Sequence, residues 1–291
     1  MLASCTAALL GLLVGSPTHP QREAGAAIQL CNYRLHWSDE FDDMSIGNWR
    51  LEGKRWIAHT PWSGDFGDAR FADPGPDGPF AIKDGKLVIT ARRDEKGKWT
   101  SGLIAAADET QDGVGLRYGY FEARMKVSPG PGTWPAFWLY SMQSRSDPRP
   151  DLEIDALEFY GHDPKGYYAA WHLFHKPHSD GQKSGNLMRI PIPDGSFSNE
   201  FRRIGVDVKH DYTTYYFDRK LVWRHTTPHE HQSRLSPLVN LALGSGYSID
   251  NTPNPSQLEI DYVRIYEPLV NPDQECARGS CKSACVETST D

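Results

Sequence analysis

The sequence lacks several features that would assign it to other classes of protein. It contains no cysteine between residues 32 and 275, because its five cysteines lie near the two ends. Basic residues are also in the minority, with 31 Lys and Arg against 38 Asp and Glu, a formal net charge of −7. The first absence indicates a core that does not need disulfides, and the length of 291 residues excludes a small disulfide scaffold. The second removes the electrostatic reason to expect a nucleic acid as partner.

A long hydrophobic segment is also missing. The apolar stretch over residues 6–15 is far shorter than the roughly 20 residues of a membrane-spanning helix. It has the length of a signal-peptide core, although no Lys or Arg precedes it. We therefore expect no membrane span, a signal peptide over residues 1–15 and a secreted protein, extracellular or periplasmic. Lipid attachment at Cys5 and a buried N-terminal helix are the alternatives.

The remaining cysteines border the long cysteine-free region at Cys31, Cys276, Cys281 and Cys285. This placement predicts a domain whose ends are joined by disulfides in an oxidising compartment. The sequence does not choose among the three possible pairings. A zinc site in the C-terminal cluster is the alternative, but its spacing matches no common zinc finger.

Aromatic rings and turn-forming residues are abundant: nine Trp, 13 Tyr and 11 Phe accompany 26 Gly and 21 Pro. Apolar and polar residues alternate with the period of β-strands over residues 86–91, 118–127, 213–223 and 258–266. Turn signals separate such segments, and no convincing amphipathic helix of about 12 or more residues is found. The pattern predicts an all-β antiparallel sandwich.

The domain organisation is predicted to be simple. No low-complexity linker interrupts residues 31–268, so we expect a single domain there. Residues 16–30 are predicted to form a polar connector, and residues 269–291 a short tail that contains three cysteines. We expect a monomer.

The segment Asp151–Gly161, with the sequence DLEIDALEFYG, carries three closely spaced acids. Glu153 and Asp155 are two residues apart, so a strand directs both side chains to one face. Glu158 has the opposite parity. One extra residue at Ala156-Leu157 would bring Glu158 onto the same face, because a β-bulge changes the face that the following residues occupy. The segment therefore predicts a bulged strand with three carboxyl groups on one face.

Neighbouring carboxyl groups raise one another's pKa, because like charges placed side by side repel. A strand face that carries three acids therefore has a cost in stability, which favours a joint role for them. Two carboxyl groups roughly 5 Å apart are the arrangement for glycoside hydrolysis with retention of configuration, one as nucleophile and one as acid/base. Asp155, between the outer two, is placed to hydrogen-bond the nucleophile. An ordinary solvated acidic strand face and a calcium site are the alternatives.

Aromatic residues precede the acids along the chain. Trp134, Trp138 and Tyr140 share one parity, so we expect them to line the face that carries the acids. Rings beside carboxylates suit sugar binding, because rings stack on the apolar faces of pyranoses while polar groups orient hydroxyls. Burial of the rings in the core is the alternative. Trp56 and Trp62, in a Gly- and Pro-rich segment, are predicted to lie at the cleft rim, where one or both stack on distal sugars.

Several motifs together resemble those of glycoside hydrolase family 16, the family of laminarinases, lichenases and agarases. The resemblance covers about residues 33–267, and the motifs occur in the family's order. They are Ser38-Asp39-Glu40-Phe41-Asp42, residues 118–126, residues 134–138, Glu153 to Glu158, Asn240-Leu241-Ala242 and residues 260–266.

The resemblance implies a concanavalin-like jelly-roll sandwich of two curved antiparallel sheets with an open substrate cleft. It implies Glu153 as nucleophile, Glu158 as acid/base and Asp155 as supporting acid. His172 resembles a family histidine on the neighbouring strand and is expected to bind substrate. The spacing of the acids resembles the bulged branch of laminarinases and marine galactanases. No cofactor and no metal ligand are implied, and a structural calcium ion is left open.

For function, the resemblance implies a secreted, retaining endo-β-glycanase. The expected substrate is a β-1,3- or β-1,3/1,4-glucan or a related bacterial exopolysaccharide. A galactan of the agar or carrageenan type, or transglycosylation, is an alternative with the same chemistry. A lectin-like polysaccharide-binding protein without turnover is the alternative from another class. The segment 244–247, Gly-Ser-Gly-Tyr, departs from the Gly-Gly-x-Trp of many laminarinase-like members, which leaves the substrate's identity open.

Overall fold

The computed structural model describes residues 24–270, apart from residues 63, 129, 145 and 176–182. The predicted signal peptide, Cys5 and the three cysteines of the tail lie outside these residues, so the leader and the disulfides stay predictions. Regular structure is almost entirely β, with one short helix at Ser196–Asn199 and a 3-10 turn at Leu30–Asn32 in the described part. Within the same part, no helix has the length and apolar character needed to cross a bilayer.

The strands of the described residues, numbered along the chain, form two sheets. The ten-stranded sheet contains β1 (Tyr33–Asp39), β4 (Arg70–Phe71), β5 (Phe80–Lys83), β6 (Lys86–Arg93), β7 (Trp99–Ser101), β9 (Gly119–Val127), β14 (Arg202–Val208), β15 (Tyr212–Phe217), β16 (Lys220–Thr226) and β18 (Ser256–Pro268). The eight-stranded sheet contains β2 (Ile46–Gly47), β3 (Trp56–Ile57), β8 (Leu103–Ala105), β10 (Thr133–Met142), β11 (Asp151–Glu158), β12 (Gly166–Phe174), β13 (Lys183–Pro191) and β17 (Arg234–Leu243).

Half of the neighbouring strand pairs among the described residues are consecutive along the chain, and half join strands that are distant in sequence. The ten-stranded sheet follows the order β16-β15-β14-β9-β18-β6-β7-β4, with β1 beside β18 and β5 beside β6. The eight-stranded sheet follows the order β13-β12-β11-β10-β17-β8-β3-β2. Pairing is antiparallel except between the short strands β2 and β3 and between β4 and β7. The predicted all-β sandwich is confirmed.

The main core lies between the two sheets and follows from the period of two. In β9, Phe121 and Met125 point into it, and in β10, Phe137 and Leu139 do so from the other sheet. All four side chains are completely buried. Burial of such apolar area stabilises the fold by roughly 25 cal/mol per Å². The same period places the intervening residues of β10 on the opposite face of the eight-stranded sheet, where the functional site lies.

The outer face of the ten-stranded sheet is covered by the segment that precedes β1. Ile28 and Leu30 are buried there with Tyr120 of β9 in a second apolar cluster. Ala27 bridges to Lys220, which ties the segment to the edge strand β16. Part of the predicted connector over residues 16–30 is therefore integrated into the domain.

A buried carboxylate, Glu122, lies on this same outer face of β9 and is completely inaccessible to solvent. The Arg219 guanidinium donates two hydrogen bonds to it, each 2.9 Å long. The hydroxyls of Tyr120 and Tyr262 donate two more, at 2.7 and 2.8 Å. Burial opposes ionisation, but Arg219 and the two hydroxyls outweigh it and hold the pKa of Glu122 below its ordinary value.

We expect the substitution Arg219→Met to lower the free energy of unfolding by about 3–5 kcal/mol, because it leaves a buried carboxylate without its counter-charge. Arg34→Met is the matched control, since the Arg34 side chain is 66% exposed and its partner Glu267 keeps access to solvent, and it should cost less than about 1 kcal/mol. Denaturant unfolding followed by tryptophan fluorescence measures both. Equal losses in the two variants would contradict this account of Glu122.

A histidine behind β11, the strand that carries the three acids, links the two sheets. His225 of β16 stacks on Trp171 of β12, with ring centroids 5.3 Å apart and planes 25° apart. Its Nε2 lies 3.2 Å from the hydroxyl of Tyr215, which itself donates a 2.8 Å hydrogen bond to the Ala170 carbonyl oxygen. Burial lowers the pKa of His225 to about 4, although its hydrogen bond to the Thr226 carbonyl acts in the opposite direction.

This lowered pKa predicts a pH-dependent stability. Unfolded His225 binds a proton near pH 6.5, so the unfolded state gains protons at a higher pH than the folded state. The stability that neutral His225 contributes is present above about pH 6.5 and is lost as the pH falls towards 4. Between these values we expect wild type to lose about 1–3 kcal/mol more than the variant His225→Gln. Parallel curves of unfolding free energy against pH would exclude this role.

Candidate active site

The bulge predicted in the acid strand is present. Against β10, Leu157 pairs with Phe137 and Asp155 pairs with Trp138, so Ala156 has no counterpart. The pairing with β12 shows the same irregularity, with one additional residue in β11 over this interval. The bulge allows both Ala156 and Leu157 to be buried in the main core.

The three acids therefore share the face of the eight-stranded sheet that points away from the main core. We call this surface, which carries Glu153, Asp155 and Glu158, the cleft face. Leu152 and Ile154 alternate with the acids and point into the main core. Glu153 and Glu158 are half-buried, and Asp155 is buried with 5% of its surface exposed. The predicted grouping of the acids on one face is confirmed.

Cross-strand pairing surrounds each acid with a defined row of residues on the cleft face. Residues that pair directly across strands have adjacent side chains. The rows are Tyr140–Glu153–His172–Gly185, Trp138–Asp155–Ala170–Leu187 and Ala136–Glu158–Tyr168–Arg189.

Glu158 is held by two aromatic donors. The Trp134 indole N–H and the Tyr160 hydroxyl each donate a 3.2 Å hydrogen bond to its Oε1. The two rings are themselves stacked, with centroids 6.1 Å apart and planes 12° apart. Burial, and then the charge of Glu158, raise the pKa of Tyr160, so its hydroxyl remains a donor throughout the range in which proteins are stable. Donors to a carboxylate favour its charged form.

Glu153, Asp155 and His172 form the second part of the site. Nε2 of His172 lies 3.5 Å from Oδ2 of Asp155, and one ligand atom from each of the three residues lies within 4.8 Å of the other two. Such a set of oxygen and nitrogen atoms could hold a metal ion. Gly185 leaves room for the imidazole, since a Cβ atom there would lie 2.7 Å from Nδ1 of His172. His172 thus lies beside the acids, as predicted.

The predicted aromatic residues of β10 lie on the cleft face at different depths. Trp138 is only 5% exposed, and its indole N–H donates a 2.8 Å hydrogen bond to Asn240. Trp62 covers it, with ring centroids 5.9 Å apart, and packs against Tyr140 at 4.3 Å. Trp138 therefore supports the cleft surface from below, whereas Trp62, Tyr140 and the half-buried Trp134 remain accessible.

A cavity of about 790 Å³ opens beside Glu153. This size is within the range of sites for small ligands. Aromatic, small polar and acidic side chains form its wall. The lining residues are Pro61, Trp62, Ala107, Asp108, Glu109, Gln111, Tyr140, Ser141, Met142, Gln143, Ser144, Asp151, Glu153, Phe174, Ser236 and Leu238.

The wall of this cavity carries negative charge. Four of its described lining residues are carboxylic acids, and none is a Lys or Arg. Burial opposes the ionisation of Asp108, but hydrogen bonds from Thr110 and from the Leu51 N–H lower its pKa below the ordinary value. Burial, and then the charges of Asp151 and Glu153, raise the pKa of Tyr140, which remains a neutral donor to Asp151. The cavity is thus suited to neutral, hydroxyl-rich ligands.

The family model for glycosyl hydrolases family 16 matches residues 81–264, more than half of the sequence. The chain belongs to glycosyl hydrolase family 16. This match confirms the predicted family and, at the level of the family, the predicted class of glycosidases.

Relatives in family 16 differ in the substrates that their names state. The chain is 29% identical over 198 residues to the endo-1,3-1,4-beta-glycanase EglC of Rhizobium meliloti, covering 65% of this chain but only 39% of EglC. It is 26% identical over 301 residues to the kappa-carrageenase of Pseudoalteromonas carrageenovora, covering 86% of this chain and 68% of the relative.

A solved structure agrees with the fold. The catalytic domain of an endo-1,3-beta-glucanase (laminarinase) from Thermotoga petrophila is 26% identical and superposes with a TM-score of 0.62. The similarity covers 81% of this chain and 98% of that domain. It confirms the predicted jelly-roll fold.

In this family 16 domain Trp56 lies in the core, so its predicted place at the rim is wrong. Its side chain is completely buried, meets the ring of Trp37 edge-on and stacks with the ring of Phe41. Its indole N–H donates a 2.7 Å hydrogen bond to Asp39. This buried partner satisfies the polar atom of the ring, which makes full burial favourable.

Sequence reasoning assigned no role in this family 16 site to a second aromatic group beside Glu158. Tyr160 follows Glu158 by two residues, so its parity already placed it on the cleft face. Tyr168 pairs with Glu158 across β12. Tyr247 lies in a loop and packs against His162, with ring centroids 3.7 Å apart. No periodic signal identifies Tyr247 or His162, because the fold alone brings these loops together.

Proposed function

We propose that the protein is a secreted endo-β-glycanase that hydrolyses internal β-1,3- or β-1,3/1,4-linkages of a neutral glucan with retention of configuration. The observation that carries this proposal is the bulged strand, which groups Glu153, Asp155 and Glu158 beside an aromatic, open cavity. Secretion is supported by the apolar N-terminal stretch of the sequence.

The proposed reaction proceeds in two displacements. A carboxylate oxygen of Glu153 attacks the anomeric carbon while the Glu158 carboxylic acid gives its proton to the departing glycosidic oxygen. The bond between sugar and leaving group breaks, and a glycosyl ester with Glu153 forms. Glu158, now a carboxylate, takes a proton from a water molecule, whose oxygen attacks the same carbon and releases Glu153. Two inversions give net retention.

Asp155 and His172 serve in this scheme as supporting groups. Asp155 is buried between the two glutamates on the cleft face, and His172 lies 3.5 Å from its carboxylate. Charge and hydrogen bonding from this pair would hold the Glu153 carboxylate in position during the ester's formation and breakdown. Trp134 and Tyr160 orient Glu158 from the opposite side.

The charge of the cavity supports a neutral substrate over a sulfated one. The carboxylates of Asp108, Glu109, Asp151 and Glu153 line the cavity. The nearby cation Arg50 is already paired with Glu109, at 2.6 Å. A sulfate group placed against these carboxylates would be repelled, whereas sugar hydroxyls can donate hydrogen bonds to them. This observation favours a glucan over the carrageenan-type galactans that the similarity to a carrageenase would otherwise suggest.

A panel of polysaccharides tests the proposal, with β-1,3-glucan, mixed-linkage glucan, bacterial exopolysaccharide, agarose and carrageenan as substrates. We expect a rapid fall in polymer size with new reducing ends from a glucan, and proton NMR should show the β-anomer first. Initial release of the α-anomer would exclude retention. Preferential cleavage of a sulfated galactan would overturn the substrate assignment, and dominant chain transfer at high acceptor concentration would identify a transglycosylase.

The variant Glu153→Ala should lose hydrolysis by about 10³-fold or more, because no ester can form, while oligosaccharide binding stays within a few-fold. Glu95→Ala is the matched control, since Glu95 is an exposed acid on the turn after β6, and it should retain wild-type turnover. Azide, as a replacement nucleophile, should restore turnover of an activated substrate by Glu153→Ala. Unchanged hydrolysis in this variant would exclude Glu153 as nucleophile.

The hydrogen bonds to Glu158 predict a shift in the pH profile of Tyr160→Phe. Loss of a donor destabilises the carboxylate form, so the pKa of Glu158 should rise. Because the reaction needs Glu158 protonated at first, the alkaline limb of kcat/KM should move to higher pH, by up to about one unit. Tyr247→Phe, which alters a neighbouring ring, is the control. An unmoved alkaline limb in Tyr160→Phe would contradict this role.

A further inference from the structure

An exposed tryptophan lies outside the part of the site described so far. Trp49 follows the edge strand β2 of the eight-stranded sheet and is 46% exposed. Its ring lies parallel to the His59 imidazole, with centroids 3.7 Å and planes 3° apart. Because His59 covers one face of the indole, the exposed area must come from the other face and the ring edge.

His59 makes this arrangement rigid. Its side chain is 7% exposed, its Nε2 lies 2.9 Å from Oδ1 of Asp73, and its Nδ1 lies 3.9 Å from Oδ1 of Asp65. The imidazole is therefore anchored by its hydrogen bond with Asp73 while it stacks against Trp49. Because the imidazole is fixed, the Trp49 indole stacked on it loses little conformational entropy when a ligand binds to the open indole face.

Both segments that position Trp49 continue into the wall of the 790 Å³ cavity. On one side, the adjacent Arg50 pairs with Glu109 at 2.6 Å, and the Leu51 N–H donates a 3.1 Å hydrogen bond to Asp108. Asp108 and Glu109 line the cavity. On the other side, His59 is followed closely by Pro61 and Trp62, which also line it. Residues next to Trp49 in sequence, and residues next to its stacking partner, therefore contact or form the wall of this cavity.

We propose that Trp49 is a distal sugar-binding platform, on which a pyranose unit of the bound glycan stacks when the chain extends past Pro61 and Glu109. The proposal rests on the proposed glycanase function. An apolar pyranose face matches the open indole face. Carboxylates in the neighbourhood, those of Asp65 and Asp73 near His59 and of Glu109 at Arg50, can accept hydrogen bonds from its hydroxyls. The site acts on chain length, because only a glycan long enough to leave the cavity reaches Trp49.

This role predicts a length-dependent defect in Trp49→Ala. Loss of one stacking contact corresponds to about a 2- to 10-fold fall in kcat/KM for the polymer and long oligosaccharides, mainly through KM. Oligosaccharides too short to reach Trp49 should be cleaved at the wild-type rate. Trp49→Phe, which keeps an aromatic face, should recover part of the loss. His59→Ala should resemble a mild Trp49→Ala, because it frees the indole without removing it.

The experiment compares kcat/KM across a series of oligosaccharides of increasing length from the polysaccharide that wild type cleaves. Leu35→Ala is the control, since Leu35 is 49% exposed on β1 of the other sheet. Thermal unfolding confirms that each variant is folded. An equal loss at every length would indicate a structural role for Trp49, and no loss at any length would also overturn the proposal. Self-association of wild type that Trp49→Ala abolishes would assign the ring to a dimer contact instead.

A binding assay separates this inference from the proposed function. Native gel electrophoresis through soluble polysaccharide compares Glu153→Ala with the double variant Glu153→Ala/Trp49→Ala. Greater retardation of the single variant supports the platform, and equal migration of the two overturns it. Failure of wild type to cleave any polysaccharide would refute the glycanase function by itself, whereas the gel tests Trp49 without turnover.

Discussion

Repulsion among three carboxyl groups on one strand face is the constraint on which the site depends. A regular strand would remove Glu158 from the group and place it in the main core, where an unpaired charge is prohibitive. The bulge at Ala156 avoids this outcome and still buries the apolar residues around it. Trp134 and Tyr160 then stabilise the charge on Glu158, and His172 lies against Asp155. Each acid thus has its own surroundings, which allows chemically identical groups to serve different purposes.

The rest of the sandwich keeps this strand in place from both faces. Behind it, Tyr215 of the opposite sheet hydrogen-bonds the Ala170 carbonyl, at the position that pairs with Asp155. In front of it, the indole of Trp138 is fixed by Asn240 and covered by Trp62. Side chains held by packing and hydrogen bonds keep catalytic groups within the narrow tolerances that such chemistry requires.

Sequence periodicity predicts the long strands well and the short ones poorly. The parity of Glu153, Asp155 and Glu158 predicted the bulge once the three acids were assumed to share a face, because the alternation of β11 is clear on either side of it. Trp56 and Trp62 could not be told apart in this way. They lie in a segment of two-residue strands and turns, and the burial of Trp56 depends on Asp39, 17 residues earlier.

The residues around Glu158 also separate into those that strand parity predicts and those that it does not. Tyr160 was within reach of a parity argument, since it follows Glu158 on a known face. Tyr247 was not, because its contact with His162 depends on how two loops meet after the sheets have formed. The same holds for the stacking of Trp49 on His59. Sites built from loops require the topology, which single-sequence patterns do not contain.

The position of β18 has a consequence for how the chain folds. This last strand of the described residues lies inside the ten-stranded sheet, with β9 along one edge and β6 and β1 along the other. Until residues 256–268 are available, the sheet is divided into two parts whose facing edges have unpaired backbone groups. Contacts of such long sequence separation slow folding, and unpaired edges favour aggregation. The order of synthesis therefore makes closure of the sandwich a late event that follows completion of the domain.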